Sequence, residues 1–481
     1  MSNPGDADAT PIGSVQQLAD HIAAGCKPQS EYRIGTEHEK FGFQASSLCP
    51  PPYEPDGIRA VLQGMAASDP AGWQLILEHG NPIGLKGQGV HRSASVSLEP
   101  AGQFELSGGM LQDLHQTRDE LAAHVEAVRA AAAPLGIGFA PLGHHPTLGR
   151  AGMPWMPKGR YAIMRRYMPL VGQLGLDMMQ RTCTVQVNLD YSSEADMARK
   201  LRVSLALQPV ATALFANSPF VDGQPSGFLS SRARVWTDTD NRRSGMPSVM
   251  FAEDFGFERY VEWLLDVPMY FIERQGAYKD VAGESFREYM AGRRPHIGNG
   301  RATVGDFADH MTTAFTDVRV KRFLEMRGAD AGRPDRMVAQ SALWVGLLYD
   351  DAALAAADAL VRRHPWEAYQ ALRAEVPRLA LDAPWAGGTV RDLARDAVAI
   401  ARDGLRARAR RDAAGEDEAI HLAPLEPMLD GGPTQAEHWL SRFHGAWHGQ
   451  ADRIFAEAAL YEVQAGEVAT GSGPVEVDTA L

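Results

Sequence analysis

Apolar and polar positions alternate with a period of two along several short stretches of this chain. Alternation puts successive side chains on opposite faces of an extended strand. Residues 32–43, 93–100, 102–107 and 182–191 read as strands in this way, with 73–77 and 82–86 as shorter ones and 319–327 as another. Pro100 and Gly102 mark a bend or bulge between two of them. Other stretches repeat apolar positions at helical spacing: 14–24 with Ser14 as N-cap, 56–68, 111–134, 161–167 and 193–216. Asn217-Ser218-Pro219 stops the last of these. The chain is again helical over 335–412 and 434–463, and 226–245 is rich in loop residues. Residues 1–12 and the polar tail 466–481 are expected to be disordered, leaving 13–465 as one domain with a helix-rich C-terminal part over 335–463. Charged strands separated by helices, without a βαβ phosphate fingerprint, predict an α+β sheet protein.

The polar positions on those strands carry unusual side chains. Glu37 and Glu39 share one strand face, which Phe41 and Phe43 continue. Two like charges held close resist ionisation unless a cation lies between them. Hard carboxylate oxygens suit Mg²⁺, with Mn²⁺ able to substitute. Glu99, Glu105 and Glu325 stand on further strand-like segments, and Gln186 shares a face with Asn188. A sheet face of carboxylates and amides is a poor core but a good cradle for divalent cations and a polyphosphate. Arg232 and Arg327 supply the positive charge that nucleotide and carboxylate substrates need.

Other residues have structural readings. His38 points away from the two glutamates, and Lys40 reads as a surface charge. Arg33 and Arg181 read as surface or ion-pair residues, His144-His145 as part of a loop and Cys183 as a small core residue. Met164, Met168, Met178 and Met179 read as packing, and Asp350-Asp351 as solvated or as a helix cap. Gly84-Leu85-Lys86-Gly87-Gln88-Gly89 lacks a phosphate-loop spacing and reads as a loop, with Lys86 in reach of a phosphate.

Charge and composition narrow the partners. A net charge of −13 over 481 residues argues against a nucleic-acid surface. No stretch approaches the ~18 apolar residues of a membrane span. Three cysteines without a C-x-x-C pair suit a reducing compartment. The first twenty residues lack a basic segment followed by an apolar one, so a cytoplasmic location is expected.

Tyr32-Arg33-Ile34-Gly35-Thr36-Glu37-His38-Glu39-Lys40-Phe41-Gly42-Phe43 resembles the opening signature of the plant-type glutamate–cysteine ligases. Ser97-Leu98-Glu99-Pro100, Gly102-Gln103-Phe104-Glu105-Leu106-Ser107-Gly108 and Met156-Pro157-Lys158-Gly159-Arg160-Tyr161 resemble later motifs of that family. So do 181–190, Phe215-Ala216-Asn217-Ser218-Pro219-Phe220, Trp236-Thr237-Asp238-Thr239-Asp240 and Leu324-Glu325-Met326-Arg327-Gly328-Ala329-Asp330, in the same order, and the chain looks like a member of the proteobacterial branch.

The resemblance implies a glutamine-synthetase-like fold, a curved and mainly antiparallel sheet forming a funnel surrounded by helices. It implies ATP- and Mg²⁺-dependent joining of the L-glutamate γ-carboxylate to the L-cysteine amine through γ-glutamyl phosphate, the first step of glutathione biosynthesis. By motif, Glu37, Glu39, Glu99, Glu105 and Glu325 resemble metal ligands. Gln186 resembles a residue of the metal–nucleotide site and Arg327 the arginine that neutralises transferred phosphate; Asn188 and Lys86 are further candidates for the nucleotide on their own placement. Arg232 resembles the arginine that holds glutamate, with Tyr161, Met164 and Arg165 near the substrate pocket. The cysteine pairs that link plant members to redox control are replaced by Arg118, His296 and Val338, so a disulfide switch is not expected. The implied partners are glutamate, cysteine and ATP, with no nucleic acid or membrane, in a monomer or homodimer. The alternatives are a ligase for another amine or another thiol pathway, a phosphotransferase of related fold, and a non-catalytic nucleotide-binding protein.

Overall fold

The computed structural model describes residues 8–464 apart from Gln275. Residues 1–7 and the tail 465–481 lie outside the described residues. Among the described residues nine strands make one sheet. They are β1 (Ile34–Gln44), β2 (Trp73–Glu78), β3 (Asn81–Gly87), β4 (Ser95–Leu98), β5 (Phe104–Ser107), β6 (Ile137–Ala140), β7 (Thr184–Leu189), β8 (Val318–Val320) and β9 (Leu324–Asp330). Their order is β8-β9-β7-β1-β5-β4-β3-β2, and β6 pairs with the second half of β1. Every pairing in this sheet is antiparallel, as expected.

One face of the sheet is apolar and covered by helices. Val96, Leu98, Phe104 and Leu106 pack under α2 (Ile58–Ser68) and α3 (Leu114–Ala132). Val187, Leu189, Leu324 and Met326 belong to the largest core, with α6 (Glu194–Leu214) and the helix Pro334–Leu348. Beyond the glutamates, Phe41 and Phe43 continue β1 into a third cluster with Trp439, Phe443 and Phe455. The other face curls round a cavity. Its remaining walls come from α4 (Gly159–Val171), α5 (Gly175–Arg181) and the single turn α7 (Ser231–Val235). The first helix, α1 (Val15–Ala23), is capped by Ser14 as expected, its hydroxyl accepting from Gln17 N at 3.2 Å.

Several expectations are corrected. Residues 319–327 are not one strand: β8 and β9 form a hairpin through Lys321-Arg322-Phe323, a turn without glycine, proline or asparagine to announce it. The Gly84–Gly87 stretch is strand rather than loop. A Cβ at Gly84 would fall 2.4 Å from the Val96 carbonyl, so the glycine there serves close approach of strands. Residues 8–12, expected to be disordered, run beside 302–305, with Ile12 N donating to Ala302 O and Val304 N to Thr10 O. The loop-rich 226–245 contains α7, and 434–463 is broken into the helices Gln435–His444 and Ile454–Ala458.

Candidate active site

Residues opposite one another in antiparallel strands share a face. Across the concave face, Arg319 on β8 stands opposite Glu325 on β9, which stands opposite Asn188 on β7. A second row runs Gln186, Glu37, Ser107, Ser95 and Lys86, from β7 to β3. A third joins Glu39, Glu105 and Ser97. The alternation of the sequence thus places Glu37, Glu39, Glu105, Gln186, Asn188 and Glu325 on one surface. Glu105 and Glu325 are 0% exposed and Glu37 and Glu39 only 5% and 9%, so these are not ordinary solvated strand carboxylates.

The cavity above the rows is open to solvent and holds about 850 Å³ of empty space counted out through its mouth. Glu39, Glu105, Gln186 and Thr184 form its floor, with Glu99 beside them. Tyr161 and Met164 reach it from α4, and Met178 and Met179 from α5, so these methionines line the site as well as pack. Arg232 enters from α7, and Trp236, Phe271 and Phe315 supply aromatic wall. Arg160, Arg319 and Arg327 complete a ring of four arginines.

Charge is arranged unevenly in this space. Burial, then the neighbouring Glu99 and Glu105, push the Glu39 carboxyl well above its ordinary range. Burial and Glu105 likewise push Glu99 up to about 8. Glu39 Oε2 accepts from Thr184 N at 2.9 Å, and Glu37 Oε1 from Asn188 Nδ2 at 2.8 Å. Glu325 is the opposite case. Burial alone would raise it, but Arg319, Lys321 and Arg327 hold it well below the carboxylate range. Their nitrogens lie 2.6, 2.9 and 2.8 Å from its oxygens. Arg327 also donates to Gln186 Oε1, and its carbonyl accepts from Arg232 Nη2 at 2.7 Å. Carboxylates thus crowd one part of the sheet face around Glu39, Glu99 and Glu105, while Arg319 and Arg327 gather about Glu325 on β8 and β9. Among the described residues no three acidic, histidine or cysteine side chains converge as a ready-made metal cluster. The expected ligands are grouped on one face but not drawn to a single point.

Three expected placements change. Arg165 does not reach the cavity: it is exposed and stacks 4.6 Å over Trp155, because α4 turns Tyr161 and Met164 inward and Arg165 outward. Lys86 shares the row of Glu37 but stands exposed three strands away, at the rim rather than in the cavity. Lys40, read as a surface charge, is fully buried on the reverse face, its Nζ 2.8 Å from His124 Nε2, and burial pushes its pKa down to about 7. Sequence reasoning missed Arg160 and Arg319. Arg160 lies inside the quoted Met156–Tyr161 motif, whereas Arg319 enters only because β8 folds back beside Glu325.

Comparison with known proteins bears on this geometry. Residues 33–457 match the model of the glutamate–cysteine ligase family 2. The chain is 48% identical over 442 residues to the chloroplastic glutamate–cysteine ligase B of Oryza sativa subsp. japonica, covering 92% of this chain and 86% of that protein. The chloroplastic glutamate–cysteine ligase of Medicago truncatula is 48% identical over 449 residues, with 93% and 86% covered. Among solved structures, a glutamate–cysteine ligase from Francisella tularensis in complex with AMP superposes with a TM-score of 0.52 at 10% identity, covering 90% of this chain and 88% of that one. A bifunctional glutathione synthetase from Pasteurella multocida gives 0.51 at 13% identity, covering 92% and 53%. These two show the shared fold. The expected cytoplasmic location does not stand, because the relatives at 48% identity are named chloroplastic. The cysteine content behind that expectation indicates a reducing medium and does not separate one such compartment from another. By the extent of both matches, the chain belongs to the glutamate–cysteine ligase family 2.

Proposed function

We propose that the cavity joins the γ-carboxylate of L-glutamate to the amine of L-cysteine at the expense of ATP, releasing ADP and phosphate. The observation that carries this reading is the meeting of Glu39, Glu99 and Glu105 with Arg160, Arg232, Arg319 and Arg327 around one cavity. A carboxylate is a poor acceptor for an amine because its oxygen leaves badly. As γ-glutamyl phosphate it has phosphate to expel. The difficult step brings two anions together, so charge neutralisation dominates.

Glu37, Glu39, Glu99, Glu105 and Glu325 are the residues that would hold Mg²⁺, or Mn²⁺ in its place. The fit rests on an all-carboxylate donor set and on Glu99 Oε1, which is buried without a hydrogen-bond partner. Such an ion, when bound, neutralises the polyphosphate. The side chains of the protein do the rest. Gln186, Asn188 and Arg327 lie at the nucleotide end, and Lys86 extends that row to the rim. Arg327 follows the phosphoryl group as it moves, and Arg232 holds glutamate in line. Tyr161 and Met164 border the substrate, Tyr161 being fixed by its hydroxyl donating to Leu98 O at 2.5 Å. Trp236, Phe271 and Phe315 keep water from the acyl phosphate.

The test is ADP release by the purified protein with ATP and Mg²⁺, omitting glutamate or cysteine in turn, with mass analysis of products. Release that depends on glutamate, with γ-glutamylcysteine formed only when both amino acids are present, is the expected result. Turnover indifferent to glutamate, or a peptide with another amine in preference to cysteine, would contradict the reading.

A further inference from the structure

Asp330 ends β9 three residues beyond Arg327, is 2% exposed and does not line the catalytic cavity. Its carboxylate gathers three donors. Oδ2 accepts from Ser218 Oγ at 2.6 Å and from Asn217 N at 2.9 Å, and Oδ1 accepts from Ser230 Oγ at 2.7 Å. Both serines pass the connection on. Ser230 is the N-cap of α7, its hydroxyl oxygen accepting from Ala233 N at 3.0 Å, and Ser218 Oγ accepts from Arg232 N at 3.2 Å. Each hydroxyl receives a backbone N–H on its oxygen and therefore sends its own proton to Asp330. Asp330 therefore accepts through both of its terminal atoms, which an ionised carboxylate can do and an amide, with one oxygen and one NH2, cannot.

A helix of five residues cannot hold its own place, since a single turn is unstable without outside contacts. The guanidinium that α7 carries is anchored on the same strand, to Arg327 O. Space for the carboxylate is kept by Gly143, where a Cβ would lie 2.2 Å from Asp330 Cγ.

We propose that Asp330 is a positioning residue, which through Ser218 and Ser230 fixes the turn that aims Arg232 at the glutamate substrate. This rests on Arg232 as the glutamate clamp, and the experiment separates the two ideas. KM for glutamate, cysteine and ATP is measured for Asp330→Asn, Ser218→Ala, Arg232→Ala and the double variant Arg232→Ala/Asp330→Asn, with unfolding midpoints as a check on folding.

Asp330→Asn is expected to raise KM for glutamate by about tenfold, as a small misplacement of a substrate-orienting group does, with the other two constants changed by less than about twofold. Ser218→Ala shows the same pattern more weakly and carries the test if Asp330→Asn does not fold. The double variant adds nothing beyond Arg232→Ala, because both lesions disable one group. Additive effects, or a uniform rise in all three constants, overturn the positioning role. A rise in KM for glutamate in Arg232→Ala with none in folded Asp330→Asn or Ser218→Ala also overturns it, and leaves the clamp intact. No rise in Arg232→Ala overturns the clamp and the positioning together.

Discussion

Glu39 and Glu325 are both buried carboxylates on the same sheet face, and their environments set opposite consequences for removing the charge. Glu39 is crowded by Glu99 and Glu105, whereas Glu325 is surrounded by Arg319, Lys321 and Arg327. Glu39→Gln relieves repulsion, so its unfolding free energy is expected to match or exceed that of the parent while kcat/KM at limiting Mg²⁺ falls by about 10²–10³. Glu325→Gln leaves three cations without their carboxylate and is expected to lose about 3–5 kcal/mol in urea unfolding besides its activity. The sequence does not foresee two of the three cations around Glu325, since Arg319 comes from β8 and Lys321 from the hairpin turn. Buried histidines supply a pH dependence. Burial, then Arg181, push His145 down to about 3, and burial does the same to His310. Such a group binds its proton more readily in the unfolded chain, whose histidines titrate near pH ~6.5. Stability is therefore complete above that pH and is lost as pH falls toward 3, by up to ~1.4 kcal/mol per pH unit for each histidine. In His310→Gln the slope of unfolding free energy against pH between 6 and 4 should be smaller by that amount, and an unchanged slope would show that His310 is already protonated in the fold.

At the scale of elements, the helices behind the sheet are held by close backbone contact. The helix Pro334–Leu348 meets the helix Val390–Arg408 where a Cβ on Gly346 would lie 2.2 Å from Ala401 O, and one on Gly404 2.0 Å from Gly346 O. Gly346→Leu is expected to force them apart at a cost of about 1–3 kcal/mol or more, measured by urea unfolding, with KM values little changed in the folded fraction. Period-two alternation in 93–100, 102–107 and 182–191 suffices to assign β4, β5 and β7 and to put Gln186 and Asn188 on one face, but that Glu105 joins them follows only from the pairing of β5 and β7 with β1. It failed at 319–327, where Lys321-Arg322-Phe323 turns the chain with ordinary strand residues. The same failure hid Arg319. Arg165 was misjudged for a related reason: a motif fixes neighbourhood, whereas helical phase decides which side chain enters a cavity.

At the scale of the whole molecule, the cavity is closed by strands, α4, α5 and α7, so ligand binding should tighten the entire fold. ATP with Mg²⁺ at a hundred times its dissociation constant should add about 2.7 kcal/mol to the unfolding free energy. ATP with a chelator should add much less, and equal shifts in the two conditions would remove the carboxylates from metal binding. The pairing of β1 with β7, and of β7 with β9, also has a consequence in time. Glu37 and Asn188 are hydrogen-bonded across 151 residues of chain, and Gln186 and Arg327 across 141. On a ribosome adding roughly 5–20 residues per second, β9 emerges roughly a quarter to one minute after β1. During that interval β1 and then β7 wait with unpaired edges, the kind of edge that recruits foreign strands. Glu37, Glu39, Glu99 and Glu105 are therefore synthesised long before β9 brings Glu325 and Arg327 to the same face, so the acidic part of the cavity precedes its basic complement on the nascent chain.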